Sequence, residues 1–179
     1  VTFDWEVGAR LLQTKFLYTN LSDNEYTWAN MVFDSNVGWQ NAGNHGSAFQ
    51  SWMWKRHVGF DVVTYTGNGT AGHQISHSMN AVPEMMWLKK RNAGGDWFVY
   101  HKGLDGGNQP ATHYLTLNSS TFEDDDAIAF NDTAPTSSNF TVGSSNNVNT
   151  NNGTYIAILF ASVEGISKVG SYTGNGSSS

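Results

Sequence analysis

The chain has 179 residues, 13% of them charged and 13% aromatic, with a formal net charge of −6. That length suits one medium domain with a sound core. Its acidity, relieved only by the "KKR" of Lys89–Arg91, excludes a phosphate-binding face and hence a nucleic-acid partner. Cysteine is absent, so disulfides and thiolate zinc sites are excluded.

No run approaches the 18 or so apolar residues of a membrane span, and no signal peptide is present. The chain opens on "VTFDW" and not on Met, which is the expectation for a segment of a longer polypeptide.

In chain order, strand signals dominate from residue 47 onward. The stretch 47–56 reads as a long apolar strand, with Trp52 and Trp54 on one face filling a core, as alternate residues do. "FDVVTYT" (60–66), "EMMWLKKR" (84–91), "DWFVYHK" (96–102) and "HYLTLN" (113–118) follow as strands. "EMMWLKKR" and "DWFVYHK" face each other across "NAGG" as a hairpin, and Trp97 alternates with Val99 toward a core. "TFEDDDAIAF" (121–130) is the best helix candidate, of one or two turns. "NFTVG" (139–143), "TYIAILFASV" (154–163) and "SKVGSYT" (167–173) complete the strands, separated by "GNGTAG", "NAGGD", "GLDGGNQP" and "SSNNVNTNNG". The pattern predicts an all-β fold: antiparallel β-sandwich units of jelly-roll or lectin type, joined by Gly/Asn-rich turns.

One phrase occurs twice. "VVTYTGNG" begins at Val62 and "VGSYTGNG" at Val169, 107 positions later. No Lys-Ser or Lys-Thr follows the glycines, so neither copy is a phosphate loop. Internal repetition predicts residues 1–58 as the later portion of one β unit, 59–166 as a complete second unit, and 167–179 as the start of a third or a closing strand. In each copy the tyrosine (Tyr65, Tyr172) ends a strand on the core face. The Gly67-Asn68-Gly69 and Gly174-Asn175-Gly176 triplets then reverse the chain, with at least one glycine of each at positive φ.

The run "DVVTYTGNGT…HSMNAVPEMMWLKKR…GDWFVYHKGL", with "YLTLNSS", "NDTAPTSSNFTVG" and "VNTNNGTYIAILFASVEGISKVGSYTGNGS", resembles a tandem-repeat domain of marine bacteriophage virion proteins. That domain is found chiefly in tail fibres and is catalogued as a domain of unknown function. The resemblance is close over 60–179 and looser over 1–58, where "VFDSNVGWQ" and "SWMWKR" carry it and the first unit arrives truncated. It implies a virion structural protein of the tail or a surface appendage, extracellular when functioning. Its partners would be other virion proteins or copies of itself in a homo-oligomer, with host attachment through a surface glycan as the alternative and a polysaccharide depolymerase ranked below both. The family has no agreed catalytic residues, so the resemblance implies none.

Other constellations favour the same outcome. Of His45, His57, His73, His77, His101 and His113, only His73 and His77 have helical metal spacing. On a strand, four residues span about 13 Å at roughly 3.3 Å per residue, and no Glu completes a His-Glu-x-x-His arrangement. "EDDD" (123–126) lacks the alternation and glycine of a calcium loop and reads as a solvated acidic turn. Among Asp4, Asp34, Asp61, Glu84, Asp96, Asp105, Asp132 and Glu164 no pair stands out for glycoside cleavage, and no Gly-x-Ser-x-Gly elbow is present. Neither an enzyme nor a cofactor is expected. Of the tryptophans Trp5, Trp28, Trp39, Trp52, Trp54, Trp87 and Trp97, Trp39 in "NVGWQNAGN" is the candidate for an exposed sugar-stacking ring. The Asn-x-Ser/Thr sequons follow from a composition rich in those residues.

Overall fold

The computed structural model describes residues 4–29, 31–35, 38–41 and 50–176. Strands β1 (Glu6–Gly8), β2 (Lys15–Tyr18) and β3 (Tyr26–Thr27) form a small antiparallel sheet, and β4 (Met31–Ser35) pairs with β5 (Gly38–Asn41). The main sheet is built from β6 (Phe60–Thr66), β8 (Met85–Lys90), β9 (Phe98–His101), β10 (His113–Thr116), β11 (Asp124–Asp125) and β13 (Thr154–Phe160). Their order is β11-β10-β9-β8-β13-β6, antiparallel throughout. A separate pair, β7 (His73–Ser76) with β12 (Asn139–Val142), lies across one face. The fold is all-β, as the turn-rich, strand-dominated sequence leads one to expect.

The sequence explains why β13 sits inside the sheet. "TYIAILF" is apolar on both faces, and its five interior residues are all buried, the signature of a strand covered above and below. Ala157 and Leu159 point with Met86, Leu88, Phe98 and Tyr100 into a cluster shared with Ile75, Phe130, Phe140 and Val142. Ile156 and Ile158 point the other way, joining Phe60, Val62 and Trp97 against Leu12 and Leu17 of the N-terminal layer. Residues 4–27 and 60–161 therefore close over one sheet and share a core. The burial of Trp97 is as expected; it is fully buried, and its indole Nε1 donates to the Tyr18 carbonyl at 2.9 Å.

Several elements differ from the sequence reading. Residues 50–56 form no strand, and Trp52 and Trp54 are exposed, not core; residues 47–49 and His45 lie outside the described residues. Residues 121–130 contain no helix: β11 pairs Asp124 with Tyr114, and turns follow. The α-helical turn α1 (Asn146–Asn149) instead falls in "SSNNVNTNNG", started by Ser145, whose hydroxyl accepts from Asn147 N–H. Residues 167–173 form no strand; only an isolated bridge, Val163 to Ser167, marks the approach to the second copy of the motif.

Candidate functional site

The first "YTGNG" is a lock between β6 and the 146–155 loop. Tyr65 stacks on Tyr155 with centroids 5.0 Å apart and 14° between planes. Its hydroxyl donates to the Val148 carbonyl at 2.9 Å, and burial pushes that hydroxyl well above its usual 10. Gly67 N–H donates to Gly153 O at 2.8 Å, and Gly67 O accepts from Asn152 N–H at 2.9 Å. Asn68 N–H donates to Asn149 Oδ1, while the Asn68 side chain accepts from Thr70 N–H. Asn149, fully buried, completes the arrangement by donating to Thr70 O and Gly143 O, so each polar atom of its amide has a partner.

The glycine requirement is split between two positions. Gly69 holds φ +73°, and Gly176 in the second copy holds +68°, so the positive φ falls on the second glycine of each triplet. Gly67 is demanded by closeness: a Cβ there would stand 2.3 Å from Thr150 O. Gly174 has no such neighbour within 4 Å. Tyr172, expected on a core face, is 95% exposed, because no counterpart of the 146–155 loop among the described residues receives it. The tail is tied down earlier, where Val169 N–H donates to Ser162 Oγ.

The sequence-derived metal and acid candidates are dispersed. His73 Nδ1 lies 3.3 Å from Asn149 Oδ1 and His77 Nε2 lies 3.1 Å from Thr136 O. Among the described residues no three His, Asp or Glu side chains gather around a possible metal position. A polar depression of about 590 Å³ at the β10–β11 edge is bordered by Asp96, Tyr114, Asn118, Phe122, Glu123 and Asp124. Three carboxylates border it, and each is engaged: Asp96 accepts from Asn118, Asp124 from Tyr114 and Glu123 from Asp105 N–H. Burial and the Asp124 bond push the Tyr114 hydroxyl up to about 12.

The surface the sequence reading missed is 52–57, "WMWKRH". Trp52 and Met53 are 66% and 64% exposed and Trp54 58%, with Trp54 stacked on Phe60 at 5.9 Å. Beside them Arg56 Nε donates to Asp61, and Arg56 Nη2 donates to Ser78 Oγ at 2.8 Å. Asp61 is buried and also accepts from Val62 N–H, Ser78 N–H and Ser78 Oγ. Burial pushes its carboxyl up, but these hydrogen bonds and the Arg56 charge prevail and hold it below the usual carboxylate value. Alternation predicts a strand with both indoles on its core face, whereas the segment forms no strand and both indoles are exposed. Trp39, the sequence candidate, lies on β5 and is half-buried.

A family model matches residues 11–179, nearly the whole chain, as a single span. The chain belongs to the family described as Domain of unknown function (DUF7483). No curated protein and no solved structure matches it. The matched span takes in the N-terminal layer from residue 11, the main sheet and both copies of the repeated motif. No helix among the described residues is long and apolar enough to cross a membrane.

Proposed function

We propose that this domain is a bacteriophage virion structural protein, a non-enzymatic β building block of a tail fibre or related appendage. The observation that carries this reading is the contrast between the two "YTGNG" copies. One is built into the sheet as a fold-closing lock, while the other leaves Tyr172 exposed to solvent. A module used in series, among copies of itself or other virion proteins, has a use for such a duplicate. The engagement of Asp96, Glu123 and Asp124 in local hydrogen bonds supports a scaffold over a hydrolase. The test is peptide mass spectrometry on gradient-purified particles of the phage whose genome carries the gene. Peptides of this chain at structural-protein abundance support the reading; their absence from intact particles overturns it.

A second reading, attachment to a host surface glycan, is favoured by one observation: the exposed indoles of Trp52 and Trp54 beside Arg56.

A further inference from the structure

We propose that a second β unit of this family docks on this one through a joint with two contacts. Residues 170–176 enter that unit as its β6-type edge strand, and the β9–β10–β11 sheet of this unit covers its main sheet. This rests on the reading of the domain as a module used in series, and names its partner and the contact.

A template for the sheet contact is already present in the molecule. The hydrogen bonds of the N-terminal layer recur, partner for partner, around β9–β11. Trp5 N–H donates to Asn20 Oδ1 at 3.0 Å, and Trp97 N–H to Asn118 Oδ1 at 2.9 Å. The same two asparagines donate to Asp4 at 2.8 Å and to Asp96 at 2.9 Å. Thr19 N–H and Leu117 N–H donate to the Trp5 and Trp97 carbonyls, and Trp28 N–H and Asp126 N–H to those of Thr14 and Thr112. The ladders agree as well: Val7 pairs with Leu17 as Val99 does with Leu115, and Phe16 with Tyr26 as Tyr114 with Asp124. Residues 4–28 are thus built as the counterpart of 96–126.

The layer covers the main sheet, and its counterpart is left uncovered. Leu17 is fully buried in a cluster with Phe60, Val62, Trp97, Ile156 and Ile158. Leu115, in the equivalent place, is only half-buried, and Leu117 beyond it is 38% exposed. Glu25 holds Lys15 of its own layer with Oε1 and reaches across to Arg91 with Oε2, at 2.9 Å. Glu123 is its counterpart: Oε2 accepts from Asp105 N–H of its own unit, and Oε1 has no partner among the described residues. A second main sheet laid on this face removes the leucines from water and brings its own Arg91-type guanidinium to Glu123.

The other contact is the repeated motif. An isolated bridge stands just before each copy, His57 to Phe60 before the first and Val163 to Ser167 before the second. After the first reversal the chain enters a sheet as β6, and its partners, β13 and the 146–155 loop, come later in the sequence. After the second, no strand among the described residues receives it. Gly67 is glycine because a Cβ would stand 2.3 Å from Thr150 O; Gly174 carries the same letter with ordinary φ and open space around it. A socket like 146–155 on another unit supplies the missing reason. An intact second copy is not that unit, because its own Tyr65 fills the socket; the partner brings the β13-type strand and loop without a β6. Val169, buried and tied to Ser162 Oγ, marks where the strand leaves this unit, so the two are joined without a flexible linker.

The test appends a second copy of residues 70–179 directly after Gly176 of the whole chain, so that 167–176 precede it as 60–69 precede Thr70 here. The joint predicts that the appended half folds: its β8 and β13 amides gain hydrogen-exchange protection, and protease does not cut beyond Gly176. Gly174→Ala is then compared in the chain and in the fusion. It should leave the chain's Tm unchanged and lower that of the fusion by about 4 °C or more. Leu115→Ser with Glu123→Gln should likewise cost the fusion more than the chain. Glu123→Gln alone, at an exposed position, repeats that comparison should Leu115→Ser disturb the chain itself. An appended half that stays unprotected overturns the proposal. So does one that folds while Gly174→Ala is silent, or for which the Leu115 and Glu123 variants cost the same in both backgrounds. These failures leave the virion reading standing, since peptides from purified particles decide that; a chain absent from particles whose fusion behaves as predicted overturns only the virion reading.

Discussion

Replacing the first glycine of each "TGNG" copy by alanine separates a structural lock from a mere repetition of letters. At Gly67 the new Cβ would lie 2.3 Å from Thr150 O, 3.0 Å from the Asn149 carbonyl carbon and 3.1 Å from Tyr155 Cε2. Two of those three atoms are backbone, so the 149–153 loop must move as a piece. Overpacking of this kind costs about 1–3 kcal/mol. Displacing the loop also weakens the pairings of Gly67 with Gly153 and Asn152, at about 1 kcal/mol each. A loss of about 3 kcal/mol is expected for Gly67→Ala, which at ~2–4 °C per kcal/mol for a chain of this size lowers Tm by roughly 6–12 °C. Gly174 has ordinary φ and nothing within 4 Å, so Gly174→Ala should stay within about 0.5 kcal/mol of the parent. Urea and thermal unfolding of the two variants, side by side, read the difference. Equal stabilities, or a larger loss at Gly174, would refute the assignment of the first copy as the lock.

Lys89 is fully buried, bonded among the described residues only to the carbonyls of Ser22 and Lys90, and burial brings its pKa down from 10.5 to about 8. Between pH 8 and 10.5 the folded state sheds this proton while the unfolded chain keeps it, so stability rises with pH there. The gain is about 3 kcal/mol at most and about 2 once screening by solvent near the 22–23 loop is allowed for. Lys89→Met should therefore be more stable at pH 7 and flat from pH 8 to 9.5 in urea titrations; a destabilised variant with unchanged slope contradicts this. Asp61→Asn should cost about 2 kcal/mol, because one amide oxygen replaces a carboxylate that accepts from Arg56, Val62 and Ser78. As the folded pKa of Asp61 is depressed, its contribution is present above about pH 4 and lost on further acidification; the variant's acid unfolding should lack that component. Tyr65→Phe removes the bond to Val148 O and should cost about 1 kcal/mol by chemical denaturation, with no change in strand content by circular dichroism.

The sheet was legible where local pattern and tertiary position agree. "FDVVTYT" forms β6 over the predicted 60–66, and the "NAGG" hairpin pairs Met85 with His101 through Leu88 with Phe98. β-Branched and aromatic residues bounded by glycines carry that signal by themselves. The repeated motif shows where local pattern stops. Tyr65 and Tyr172 have the same following residues, yet one is stacked on Tyr155 and the other is 95% exposed. A strand needs its partner, and the 146–155 loop exists once among the described residues. Lys89 went unseen for a related reason: alternation in "MMWLKK" places it on the face of Trp87, but a lysine is assigned to solvent unless the covering layer is known. That layer, β1–β3, consists of short strands of two to four residues, which give too few alternations to detect. Trp52 and Trp54 differ for another reason: alternating letters suggest a strand where the chain at 50–56 forms none, so neither indole has a core face to fill.

The most direct measurement of the structural-protein account is immunogold electron microscopy of intact particles with antibody raised against the folded domain. The account predicts gold on tail fibres or a comparable appendage, at several copies per particle. Unlabelled particles, with the antigen free in the lysate, would contradict it.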